Sequence, residues 1–160
     1  MHKTFRMAGW IIFSGIIIGL DQFTKQLALK YLTFQQPTMV IQHFFNLYLD
    51  FNKGAAFNFL SKQPGWQMWF FGSIALIVSV GIVVYLFKNP DNPVLTKLGL
   101  SFILGGALGN FIDRIRYQHV VDFISWHYHQ YYWPTFNIAD SAVCVGVVLL
   151  FLTFKREHKP

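Results

Sequence analysis

The chain reads as an α-helical integral membrane protein with four transmembrane helices and a small extramembrane β and aromatic patch on its outer face. Three observations predict this. Four apolar runs recur along 160 residues, and 54% of the chain is hydrophobic. Charged residues make up only 12%, where soluble domains carry about 25%, and the mean hydropathy is +0.38. Aromatics reach 19%, and many of them gather between the apolar runs. Thirteen Lys and Arg against seven Asp and Glu give a net charge of +6. In a soluble protein that balance would suggest nucleic acid. Here no basic run exceeds two residues, so the basic residues read as topology determinants and contacts to lipid headgroups. Membrane lipids, not nucleic acid, are the expected surroundings.

One domain is expected over 1–160, with spans near 8–30, 66–87, 95–114 and 137–154 and outer-face segments near 34–65 and 115–136. The first run, Met7 to Leu20, has fourteen uncharged residues between Arg6 and Asp21. Fourteen residues reach only ~21 Å against a hydrocarbon core of roughly 30 Å, so the helix should continue through Asp21, as far as Tyr31. A basic head before a short apolar run also resembles a secretory signal, but no small-x-small cleavage site follows, and a retained span is the better reading. Asp21 and Lys25 are four apart; the plain account is an i,i+4 ion pair, and the alternative is a role at a site, since an acid at the membrane edge is unusual.

Phe45, Leu47, Leu49 and Phe51 alternate with Asn46, Tyr48, Asp50 and Asn52, the period of a half-buried strand, and Asn52-Lys53-Gly54 reads as a turn. Trp66 to Phe87 is free of charge for twenty-two residues, long enough to span. The third span ends in Gly105-Gly106-Ala107-Leu108-Gly109-Asn110, whose small residues let another backbone approach. Asn110, Asp113 and Arg114 can share one face of that helix, as a structural cluster or as part of a site. The next segment carries Trp126, Tyr128, Tyr131, Tyr132 and Trp133, suited to the membrane–water interface. Cys144, the single cysteine, falls in the last run and reads as a packed apolar thiol.

Four spans place both termini and the 88–97 loop on one side, with Lys3, Arg6, Lys88, Lys97, Lys155, Arg156 and Lys159 in short pieces. Positive density then puts the termini in the cytoplasm. It also gathers Asp21, Asp122 and Asp140 at one depth near the outer face. Asp122 and Asp140 are the expected chemistry. Two facing carboxylates cannot both ionise cheaply, so they share a proton, and one acts as general base on water while the other polarises a carbonyl. The plainer reading of Asp140 is helix capping, as Asn137-Ile138-Ala139-Asp140 has an N-cap pattern; that of Asp122 is a solvent-facing strand residue.

Other chemistries are poorly supported. There is no His-Glu-x-x-His, no Gly-x-Ser-x-Gly and no glycine-rich phosphate loop before a helix. His119, His127 and His129 lack a helical metal-ligand spacing. A transporter would place an acid mid-span, whereas these acids gather at one edge.

The residues as a set resemble the lipoprotein signal peptidases (signal peptidase II) of bacterial inner membranes. Asn52-Lys53-Gly54-Ala55-Ala56-Phe57, Gly105 to Arg114, Val120-Val121-Asp122-Phe123, Phe136 to Ser141 and the Leu-Asp-Gln-Phe-Thr-Lys stretch at Asp21 are similar to that family's blocks, in order over nearly the whole chain. Asn58 stands where many members have serine. The resemblance implies an aspartyl endopeptidase with Asp122 and Asp140 as its catalytic pair. Its substrate would be a prolipoprotein carrying a diacylglyceryl cysteine, cut just before that residue on the periplasmic side. It further implies that Asn52, Gly54, Asn110, Arg114 and Asn137 hold substrate or order the pair, with Asp21 and Asp113 supporting the fold. No metal or organic cofactor is expected, because water is the nucleophile.

Overall fold

The computed structural model describes residues 2–54 and 65–157. Ala55-Ala56-Phe57 and Asn58, singled out above, lie outside the described residues. Among the described residues, four helices are long and apolar enough to cross a membrane: α1 (His2–Tyr31), α2 (Trp66–Lys88), α3 (Val94–Tyr117) and α4 (Ile138–Glu157). The burial pattern of α2 is that of a lipid-facing helix. Its buried positions are Gln67, Gly72, Ser79, Ile82 and Leu86, while Trp69 and Ile77 are exposed. Most apolar side chains of α2 point outward, while Gln67, Gly72 and Ser79 turn inward beside Ile82 and Leu86, since packing rather than hydrophobicity holds helices together in hydrocarbon. Cys144 departs from expectation on the same ground. It is exposed, on the outward side of α4 beside Val145, not packed between helices.

Small residues set the helix spacing. Ser14 Oγ on α1 donates to the Ser101 carbonyl on α3 at 2.9 Å. A Cβ at Gly105 would lie 2.7 Å from Ile17 Cβ, and one at Gly99 would lie 2.9 Å from the Gly146 carbonyl oxygen of α4. The glycine-rich stretch of α3 is therefore its contact surface with both α1 and α4.

Between the helices the described residues form four antiparallel strands in the order β1 (Pro37–Ile41), β2 (Phe45–Asn52), β3 (Val120–Tyr128) and β4 (Tyr131–Tyr132). The two outer-face segments thus form one sheet. Gln118, in the left-handed conformation at φ 59°, ends α3 and turns the chain back into β3. Alternation in β2 does not hold along its length, because between Leu47 and Asp50 two residues of β2, Tyr48 and Leu49, stand against the single Phe123 of β3. Such a bulge exchanges the faces of everything beyond it. Leu49 joins Val121, Phe123 and Ala28 in a core cluster, and Asp50 comes to lie opposite Asp122. Asn46, expected on the polar face, is buried.

Candidate active site

Asn137 starts α4. Its Oδ1 accepts the Asp140 amide at 2.9 Å, and Asp140 Oδ2 accepts the Asn137 amide at 3.2 Å. These reciprocal bonds satisfy donors that a helix start leaves unpaired. They also decide how the Asn137 side chain points. With Oδ1 occupied, Nδ2 is directed at Asp122 Oδ1, 2.7 Å away, and reaches Asn110 Oδ1 at 3.1 Å and the Val121 carbonyl at 3.3 Å. One residue is thereby bonded to both carboxylates. Capping and site geometry are the same set of bonds.

The remaining oxygens are held from other elements. Asn110 Nδ2 on α3 donates to Asp140 Oδ1 at 2.8 Å. Asn52 Nδ2 donates to Asp122 Oδ2 at 3.3 Å, which the β2 bulge makes possible by putting Asn52 on the Asp122 face. Asn52 also performs its turn chemistry, as its Oδ1 accepts the Gly54 amide at 2.9 Å. Arg114 ties this turn to α3, donating to the Gly54 carbonyl at 3.2 Å and the Asn110 carbonyl at 3.3 Å.

Asp122 does not face solvent; it is 1% exposed. Burial, and then the charge of Asp140, push its carboxyl up to about 8, against the opposing pull of Asn137, Asn52 and Lys25. Asp140 sits at the positive end of α4, where negative charge is favoured. Two carboxylates held this close share a proton more readily than they ionise together.

Beneath this pair lies a second cluster. Lys25 Nζ is 2.8 Å from Asp21 Oδ2 and 2.8 Å from Asp113 Oδ2, with all three side chains fully buried. The i,i+4 ion pair of the sequence is real, but it is not a surface pair worth a few tenths of a kcal/mol. A buried ion set of this kind is strongly destabilised by loss of one partner, at roughly 3–5 kcal/mol. Gln22 Nε2 adds bonds to Asp113 Oδ1 at 2.8 Å and the Gly109 carbonyl at 3.2 Å. All nine residues singled out from the sequence belong to this connected region. Lys25 and Gln22 were missed as members, although both lie in the Leu-Asp-Gln-Phe-Thr-Lys stretch. A lysine one helical turn beyond a membrane acid was the available signal.

The histidines are packed with aromatics. His119 lies 4.2 Å from the Phe51 ring and 5.9 Å from Tyr117, and burial pushes its imidazole below the usual value. His127 stacks on Tyr132 at 4.8 Å.

Close approach under the site is enforced by glycine. A Cβ at Gly109 would lie 2.7 Å from Asp21 Oδ2, and one at Gly106 would run into the Ala139 carbonyl oxygen. Gly106→Ala is expected to destabilise the fold by about 1–3 kcal/mol through overpacking against a backbone atom that cannot yield. Thermal unfolding in detergent should show a clear drop in midpoint; an unchanged midpoint would mean that α3 and α4 have room to separate.

A family model described as "Signal peptidase (SPase) II" matches residues 13–156. The chain belongs to the signal peptidase II family. Its relatives include proteins named "Lipoprotein signal peptidase" from Coxiella burnetii (strain RSA 331 / Henzerling II), 46% identical over 89% of this chain and 87% of the relative. Another, from Xylella fastidiosa (strain M12), is 45% identical over 94% and 92%. A solved structure described as "Bacterial membrane enzyme structure by the in meso method at 2.3 A resolution" superposes with a TM-score of 0.83 at 32% identity, covering 94% of this chain and 89% of the other. As a signal peptidase II, the chain is an aspartic-type peptidase that hydrolyses peptide bonds, in a multi-pass bacterial membrane protein.

Proposed function

We propose that this signal peptidase II removes the signal peptide from prolipoproteins already carrying a diacylglyceryl cysteine, cutting just before that cysteine, with Asp122 and Asp140 as the catalytic pair. The observation that carries the assignment is the bonding of both carboxylates, Asp122 buried and Asp140 half-buried, to Asn137, which holds them side by side. In this reading Asp140 is the ionised member and Asp122 the protonated one. Asp140 takes a proton from water as the oxygen bonds to the scissile carbonyl carbon, and Asp122 gives its proton to the carbonyl oxygen. Asp140 then protonates the leaving nitrogen as the C–N bond breaks, and Asp122 recovers a proton from the diol hydroxyl. The products are a signal-peptide carboxylic acid and a free amine on the cysteine, with both aspartates returned to their starting states.

The site lies where the C-terminal ends of α1 and α3 and the N-terminal end of α4 meet the sheet. Placing that end at the periplasmic face, with the termini in the cytoplasm, follows from the dense positive charge near the termini and the 88–97 loop. A substrate whose lipid stays in the bilayer would reach this depth without leaving the membrane, and Asn52, Gly54, Arg114 and Asn110 are the groups beside it.

The test is cleavage of a diacylglyceryl-modified prolipoprotein by the purified protein in detergent, with the new N-terminus read by mass spectrometry. Release of a product beginning at the lipidated cysteine, unaffected by a chelator, is expected. Cleavage at another bond, or equal cleavage of the unlipidated precursor, would overturn the substrate assignment.

A further inference from the structure

Lys25 is not hydrogen-bonded to either catalytic aspartate, yet its partners reach both. Its ammonium has three N–H donors, and three acceptors surround it: Asp21 Oδ2 at 2.8 Å, Asp113 Oδ2 at 2.8 Å and Asn110 Oδ1 at 3.0 Å. Asp21 Oδ1 accepts the amide of Ala139 at 2.9 Å. Asp113 Oδ2 accepts the amide of Val121 at 3.1 Å. Ala139 is the residue just before Asp140, and Val121 the residue just before Asp122. The third bond settles a side-chain orientation. An ammonium only donates, so Asn110 must turn its oxygen to Lys25 and its Nδ2 to Asp140.

We propose that Lys25 is a positioning residue of the peptidase, one that fixes the separation of Asp122 and Asp140 by holding Asp21 and Asp113 together beneath them. Two buried carboxylates repel unless a cation lies between them. Drawn together by Lys25, they pin the backbone of α4 at Ala139 and of β3 at Val121 to one point. The two catalytic carboxylates project from the next residue of each element, so their spacing is inherited from the ion cluster. The inference rests on the assignment of Asp122 and Asp140 as the catalytic pair.

Lys25 also acts on the pair through its charge. The charged groups facing Asp122 are Asp140 from α4, Lys25 from α1 and Arg114 from α3, with Asp50 opposite on β2. Lys25 favours the ionised form of Asp122, so removing it should move the alkaline limb of activity to higher pH. A residue serving stability alone would leave that limb in place.

The experiment measures kcat, KM and the pH profile on a lipidated prolipoprotein for Lys25→Met, Lys25→Arg and Lys25→Met/Asp21→Asn, beside Asp122→Asn and Asp140→Asn. In the double variant one cation and one anion are lost together, so the cluster's net charge stays at minus one, and Asp113, without its cation, keeps its bonds from Gln22 and the Val121 amide. It should unfold cooperatively, at a midpoint below that of the wild type, keep KM within about two-fold and lose kcat by about 10²-fold, the size expected of a misplaced reacting group. Lys25→Met should show the displaced alkaline limb. Lys25→Arg should keep the limb and lose kcat, because a planar guanidinium cannot reproduce the three bonds. Wild-type kcat in the folded double variant, or an unmoved limb in folded Lys25→Met, overturns the proposal. If neither methionine variant folds, Lys25→Arg decides: a lower kcat at unchanged KM carries the proposal, and wild-type kcat overturns it. Activity that survives Asp122→Asn or Asp140→Asn sinks the catalytic pair itself; activity lost there but intact in the Lys25 variants sinks only the positioning role.

Discussion

Asp122→Asn and Asp140→Asn are each expected to lower kcat on a lipidated prolipoprotein by on the order of 10³-fold, the share of a rate that general acid–base catalysis supplies. Neither change should cost the fold. Asparagine keeps an oxygen for the Asn137 amide that now meets Asp122 Oδ1, and at Asp140 it keeps one for the helix start. At Asp122 the substitution should even stabilise. That carboxyl is held up at about 8 in the folded chain against 3.8 for the free side chain. Between those values the unfolded chain has lost a proton that the folded chain retains, so stability falls as pH rises through the window and levels off above it. Asparagine has no such dependence. Unfolding midpoints in detergent should therefore diverge between wild type and Asp122→Asn as pH is raised from about 4 to about 8, with the variant the more stable. A variant that loses activity together with its cooperative transition would show a structural role instead.

The second large effect is the alkaline loss of activity. Above about 8 Asp122 gives up its proton, and the site then holds two carboxylates and no acid to polarise the carbonyl. The ratio kcat/KM should fall about ten-fold per pH unit beyond that midpoint. Burial is the larger cause of the high value and Asp140 the next. Asp140→Asn should accordingly move the residual activity's limb towards lower pH, while burial keeps it above 3.8. A flat profile up to about pH 10 would mean that Asp122 is not the acid.

The four spans were legible because hydrocarbon imposes a simple demand, an uncharged run of sufficient length, and Trp66 to Phe87 meets it without ambiguity. Asp122 and Asp140 were legible because carboxylates are scarce in this chain and costly beside lipid. The sheet was only half visible. Periodicity located β2, but the extra residue between Leu47 and Asp50 leaves no compositional trace, and it decides that Asn52 and not Phe51 turns to Asp122. β3 was glimpsed only as the strand weighed around Asp122, and its depth was misread, because its first four residues, Val120 to Phe123, are buried on both faces, so no alternation marks them. Lys25 was misjudged for a related reason. An i,i+4 pair looks the same in sequence whether water or a third helix covers it, and here Asp113 of α3 covers it.

The bond between Asp21 and Ala139 joins positions 118 apart, the first span to the start of the last. The amide that Asp140 receives from Asn110 comes from the third. No fragment of the chain holds the set. During synthesis, while only the first three spans have entered the bilayer, the polypeptide has neither Asn137 nor Asp140. With Asp122 and Asp140 as the proposed pair, a nascent copy should be proteolytically inert until its final helix arrives, and a translation product truncated before that helix should leave no stray hydrolase in the membrane.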